Sequence, residues 1–147
     1  QAVLLETGLA PEYLELEITE SIAMKEKRHI IKILSSLRAM GIHIAIDDFG
    51  TEYSSLNYLK HLPVDRLKID MSFIQGIEED PKDAAITRTI ISLAKNIGLE
   101  VIAEGVENEQ QFVFLQQHGC NEVQGYYFSP PLPLVAVTEL LAEKYSD

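Results

Sequence analysis

Five short strand-like runs alternate with helical patterns along this chain, and within each run polar and apolar side chains also alternate. The runs are Glu15–Thr19, Ile42–Asp47, Arg66–Asp70, Glu100–Glu104 and Glu122–Tyr126. Amphipathic helical patterns lie around Glu26–Met40, Pro81–Ile97 and Glu109–His118, with a short helical turn near Ser54–Leu62 and a last helix over Leu134–Tyr145. Punctuation residues support these elements. Asp80 precedes a first-turn Pro81, Asn108 precedes the next helix, and Gly41, Gly98 and Gly119 each stand between a helix and a strand, as N-caps and left-handed C-terminal glycines do. Such alternation predicts a parallel α/β sheet.

Buried parallel strands usually read as unbroken apolar runs. Here Leu16, Ile18, Ile44, Ile46, Leu67, Ile69, Val101, Ala103 and Val123 share one parity and are expected to face the helices. The other parity holds Glu15, Glu17, His43, Asp47, Arg66, Lys68, Asp70, Glu100, Glu104, Glu122 and Gln124. On alternation alone, a flat sheet with one solvated face fits as well. However, polar groups gather at the C-terminal ends of all five strands, where ligands bind in parallel α/β folds. Laid flat, five strands would spread those groups over ~19 Å at ~4.8 Å per step. One site can use them all only if the sheet curls, and curled βα units mean a (β/α)8 barrel. Such a barrel has eight strands, and this chain supplies about five βα units. The expectation is an incomplete TIM-like barrel, the later part of a larger domain, with about three units N-terminal to Gln1. The helix-like pattern over Gln1 to Thr7 and the lack of an initiator Met fit that expectation.

With 147 residues, 46% of them hydrophobic, the chain can bury a core, and residues 1–147 read as belonging to one domain. A formal charge of −11 argues against duplex nucleic acid or an anionic membrane as partner. It does not exclude a phosphate-bearing ligand, because bound divalent ions reverse the local field. The single Cys120 cannot form an internal disulfide and fits a reducing compartment as a small residue at a helix-to-strand turn. There is no signal-peptide pattern and no apolar run near ~18 residues, so no membrane contact is expected from this segment and a cytoplasmic location is.

The chemistry centres on Ile42-His43-Ile44-Ala45-Ile46-Asp47-Asp48-Phe49-Gly50. A strand ending in two carboxylates and a glycine turn can bring both acids toward one spot. At ~4 Å and an effective dielectric of ~20 they repel by about 4 kcal/mol, so a cation is expected between them. Glu17, Asp47, Asp48 and Glu104 form an all-oxygen set on strand ends, which suits Mg²⁺, Mn²⁺ or Ca²⁺ better than zinc. His29, His43, His61 and His118 complete no metal spacing. Lys68 shares the polar parity and has two compatible roles, neutralising the carboxylates or polarising a phosphate or the attacking water. Asp48-Phe49-Gly50 also resembles the metal-binding tripeptide of protein kinases, but the His-Arg-Asp with a following Asn that a kinase needs upstream is missing.

Five segments in order carry a more extensive likeness: Leu14-Glu15-Leu16-Glu17-Ile18-Thr19-Glu20, Ile46-Asp47-Asp48-Phe49-Gly50-Thr51, Leu59-Lys60 through Leu67-Lys68-Ile69-Asp70, Ala103-Glu104-Gly105-Val106-Glu107 and Gln124-Gly125-Tyr126. Together they resemble the EAL domain, over essentially the whole chain. The resemblance implies a modified TIM barrel that hydrolyses one phosphodiester of cyclic di-GMP to linear pGpG with Mg²⁺ or Mn²⁺, in bacterial second-messenger signalling. By the same resemblance Glu17 and Asp47 would ligate one metal, and Asp47 would bridge to a second held by Asp48 and Glu104. Lys68 would hold the nucleophilic water or the phosphate, and Gln124 would support the water network. Glu20 would brace the loop after Asp48, and Glu107 would lie just outside the ligand set. The partners it implies are cyclic di-GMP and a second copy in a homodimer, with a GGDEF or sensor domain a candidate neighbour in the parent chain.

The departures are as specific as the matches. The Glu-Ala-Leu motif, its nearby arginine and the asparagine ligand of the following unit carry over to strands that would precede Gln1. Without them one metal lacks two of its four expected ligands, so this chain alone is expected to be inactive. Glu52 also stands where the family usually has glycine, in a loop tied to the dimer surface in relatives. The alternatives are a degenerate EAL domain that senses cyclic di-GMP or a protein partner, and another Mg²⁺-dependent barrel enzyme.

Overall fold

The computed structural model describes residues 2–23, 27–51 and 56–144. Helix α1 spans Ala2–Thr7, and a 3-10 turn at Pro11–Tyr13 leads into β1, Glu15–Thr19. Helices α2 (Glu20–Ala23) and α3 (Lys27–Arg38) precede β2, His43–Phe49. Helix α4 (Leu56–Leu59) precedes β3, Arg66–Ile69, and α5 (Met71–Gln75) and α6 (Pro81–Asn96) precede β4, Glu100–Ala103. Helix α7 (Glu109–His118), the short β5 (Glu122–Val123) and α8 (Leu134–Lys144) complete the order.

The strands form one parallel sheet in sequence order, β1-β2-β3-β4-β5. Ile44, Ile46, Leu67, Ile69, Val101 and Ala103 are fully buried and meet Leu34, Leu59, Ile74, Ile91 and Leu115 from the helices. The apolar parity thus faces the helices. On β1, Leu16 and Ile18 are only half-buried. A cavity of about 630 Å³, lined by Val3, Leu4, Leu14, Leu16, Leu37 and Ile42 among others, lies beside that strand.

The caps are those that local chemistry requires. Asp80 accepts a hydrogen bond from the Lys82 N–H at 2.8 Å, and Asn108 accepts one from the Gln111 N–H at 2.9 Å, closing the first turns of α6 and α7. Gly119 ends α7 at φ 73°, a left-handed conformation in which a Cβ would crowd the backbone.

Several boundaries differ from expectation. Strand β2 continues through Asp47 to Phe49 because a bulge keeps it paired with β3. Strand β5 stops at Val123, and beyond it Gln124 pairs with Ala103 and Val106 through its backbone alone. Two short helices, α2 and α5, occupy what reads as loop. The expectations for Gln1, Glu26, Glu52, Ser54 and Tyr145 fall outside the described residues.

A single arginine shows that the sheet is curled. Arg66, on the central strand, meets Glu15 of β1 at 3.3 Å, Glu100 of β4 at 2.8 Å and Glu122 of β5 at 3.1 Å. In a flat sheet β1 and β5 would be ~19 Å apart. One guanidinium touches both edge strands only if the polar face is concave. The chain is therefore an arc of five βα units whose concave side carries charge.

Candidate metal and phosphate site

The β2 bulge builds the core of the site. Ile46 pairs with Leu67 and Phe49 with Ile69, so three steps along β2 match two along β3. One residue is extra, and the parity of the strand reverses across it. Ile46 and Phe49 are both buried, leaving Asp47 and Asp48 between them, half-buried. Asp48 sits at φ 54°, the single non-glycine positive φ among the described residues. Asp tolerates that conformation better than most residues do. Oxygens of Asp47, Asp48 and Glu104 lie within 4.8 Å of one another, a spacing able to hold a metal ion.

Lys68 faces this group from the adjacent strand. Its ammonium lies 2.6 Å from Glu17, 3.1 Å from Asp47 and 2.8 Å from Glu104, and its side chain is 6% exposed. Burial works against its charge, but hydrogen bonds to Glu104, Glu17 and Asp47 outweigh that and hold the ammonium well above its ordinary range. The Asp48 carboxyl is shifted upward too, which for an acid disfavours the charged form. Burial first, then the charges of Asp47 and Asp70, raise its carboxyl above the ordinary value, opposed by Lys68. Asp70, which caps α5 by accepting from the Ser72 N–H at 2.9 Å, is thus a neighbour of the site that the sequence reading listed by parity but did not assign.

The other candidates fall around this core. Glu17 reaches Lys68 but lies outside the three-residue cluster. Glu20 is 1% exposed, and its carboxylate accepts a hydrogen bond from the Gly50 N–H at 3.0 Å, immediately after the bulge. Two of the cavities that Gln124 borders lie against these residues. One, of about 440 Å³, runs along the arc past Glu17, Arg66 and Lys68 to Phe128. The other, of about 320 Å³, holds Glu104, Glu107, Met71 and Tyr126. Glu107 is exposed in that second cavity, and its N–H donates to Gln111 Oε1 at 2.7 Å. Arg66 and its three acids form a separate layer beneath Lys68, toward the N-terminal ends of the strands. His43 lies 4.0 Å from Asp65, and the metal cluster contains no histidine.

Whether divalent cations fit can be tested on the acceptors. Asp47 Oδ1 is buried, and the group against it is the Lys68 ammonium at 3.1 Å. An all-carboxylate set with oxygens within 4.8 Å of one another matches hard divalent cations. The residues fit.

Comparison with known proteins gives one consistent result. A family model described as "EAL domain" matches residues 1–131. The chain is 49% identical over 136 residues to "Cyclic di-GMP phosphodiesterase NbdA" of Pseudomonas aeruginosa, covering 92% of this chain and 17% of that protein. Among solved structures, "PaMucR Phosphodiesterase, c-di-GMP complex" superposes with a TM-score of 0.90 at 47% identity, over 92% of this chain and 55% of the other. A Klebsiella pneumoniae BlrP1 complex with manganese and cyclic di-GMP superposes at 0.80 with 34% identity, over 88% of this chain and 33% of that one. The chain spans 17% of the length of the curated relative and about half of the solved MucR chain.

Proposed function

Because the chain belongs to the EAL domain family, we propose that it is the C-terminal portion of a cyclic-di-GMP phosphodiesterase domain acting in the cytoplasm. The observation that carries this reading is the grouping of Asp47, Asp48 and Glu104 within 4.8 Å beside a buried Lys68. A relative complexed with manganese and cyclic di-GMP supports the ligand and the class of metal.

In this reading Asp47, Asp48 and Glu104, with Glu17, hold Mg²⁺ or Mn²⁺. Such ions, once bound, would supply positive charge to the reacting phosphate and acidify the attacking water. The protein's own residues do the rest. The bulge aims both aspartates at one point, and Glu20 pins the turn that follows through the Gly50 N–H. Lys68 offers a buried positive charge to the phosphate, whose negative charge grows as water adds to phosphorus and the bond to the sugar oxygen breaks. Gln124 presents an amide from the wall shared by both cavities, able to donate to and accept from water. The product is the linear dinucleotide. Glu107, on the wall of the second cavity, is an outer partner of the ligand set in this reading. We further propose that the parent acts as a homodimer with a GGDEF or sensor domain in the same polypeptide.

The test is turnover of cyclic di-GMP by the full-length parent protein with Mg²⁺ or Mn²⁺. Asp47→Asn is expected to abolish it, and a variant that keeps wild-type turnover would remove Asp47 from the ligand set. Tight binding of cyclic di-GMP without hydrolysis would instead assign the domain to sensing.

A further inference from the structure

The geometry points to a second role for Lys68: we propose that its ammonium competes with the divalent cation for the same carboxylates, assembling them before metal arrives and leaving Asp47 when it does. This rests on the metal reading above and goes beyond it by making Lys68 a latch on metal entry. Lys68 draws together acids from three strands, Glu17 at β1's midpoint, Asp47 in β2 and Glu104 just past β4, at 2.6, 3.1 and 2.8 Å. Two of those, Asp47 and Glu104, are also two of the three residues whose oxygens group for a metal. The Asp47 oxygen facing Lys68, Oδ1, is buried, so the ammonium occupies the approach to it.

A small divalent ion sits ~2.1 Å from its carboxylate oxygens. Placed on Asp47 and Glu104, it would stand within ~5 Å of an ammonium that itself lies about 3 Å from those oxygens. Two positive charges that close, in a partly buried setting, cannot both keep their full contacts. The ion is the stronger ligand for the carboxylates, so the ammonium yields Asp47 and turns into the adjoining cavity, where an anionic substrate would lie. Metal loading and the availability of the Lys68 charge are then coupled. Without metal the lysine is spent on the carboxylates; with metal it is released. The coupling is reciprocal, as any linkage between two bound states must be.

Calorimetric titration of MnCl2 into the full-length parent protein and its Lys68→Met and Lys68→Arg variants tests this. Loss of the competitor is expected to tighten the first Mn²⁺ by tenfold or more in Lys68→Met, while Lys68→Arg, which keeps the charge, stays near wild type. If the wild type binds Mn²⁺ and Lys68→Met binds it equally or more weakly, Lys68 serves the metal and the proposal fails while the metal site stands. If neither chain binds Mn²⁺, the metal reading fails and takes the proposal with it. Should Lys68→Met not fold, the wild type alone decides. In lysine ¹⁵N spectra the Lys68 ammonium signal, slowed in exchange by its three acids, is expected to move or vanish in step with MgCl2 binding. A signal unmoved at saturation overturns the proposal.

Discussion

At the scale of single residues, the balance at Lys68 is the sharpest feature of the chain. Its side chain is almost sealed from water and its charge is matched by three partly exposed acids. Removing it as Lys68→Met strands those acids and is expected to destabilise the metal-free chain by about 2 kcal/mol, below the range for fully buried pairs because the carboxylates are partly solvated. The pH dependence follows from the upward shift of the ammonium. A cation whose folded-state value is raised contributes its full stability below the unfolded value, ~10.4, and loses it as pH rises through the higher folded value. Thermal melts should therefore show a constant gap between wild type and Lys68→Met from neutral pH to about 10, narrowing above that. Cys120 makes a second residue-scale case. Burial pushes its thiol up to about 11 despite contacts with backbone carbonyls, and Sγ lies 3.2 Å from Glu122 O. Little thiolate exists at neutral pH, so iodoacetamide should label native Cys120 far more slowly than the unfolded chain.

At the scale of elements, what was legible depended on whether a local signal or a pairing partner set the boundary. Helix α7 begins and ends where Asn108 and Gly119 say it does, because caps are local chemistry. Strand β1 matches its expected limits, Glu15–Thr19. The continuation of β2 to Phe49 was not legible, since a one-residue bulge exists only in relation to β3. Nor were α2 and α5, four and five residues long, too short to hold without tertiary contacts. The closeness of Asp70 to Asp48 follows from the same bulge, and strand parity was the only hint of it. Beyond β5, Gly125 lies against the backbone of Val106, where any Cβ would collide with its N and O atoms. Gly125→Ala must push apart the pairing of Val106 N–H with Gln124 O at 3.1 Å. Urea melts are expected to show a loss of about 2 kcal/mol, with Gln124 displaced from the cavity wall.

At the scale of the whole molecule, the charges on alternating strand positions carried the curvature, because one concave site was the only way to gather them. The sequence could not say that Arg66 would join both edge strands, since that depends on how tightly the arc bends. The described residues leave one ladder edge open on β1 and one on β5, and Val3, Leu5 and Leu9 are exposed beside the apolar cavity at β1. Open edges and apolar surface recruit other chains, so sedimentation of the 147-residue chain should show concentration-dependent self-association. A strictly monomeric chain at high concentration would count against that. No helix among the described residues is long and apolar enough to cross a membrane. The bulge in β2 has a consequence at this scale too. Because the bulge holds one residue more than β3 does, removing Asp48 would leave two steps on each strand between the Ile46–Leu67 and Phe49–Ile69 pairs, and Phe49 would stay on the core face. The second aspartate is thus carried as an insertion that the ladder itself does not need, and deletion as well as substitution at that position can remove the candidate ligand while β2 keeps its pairing.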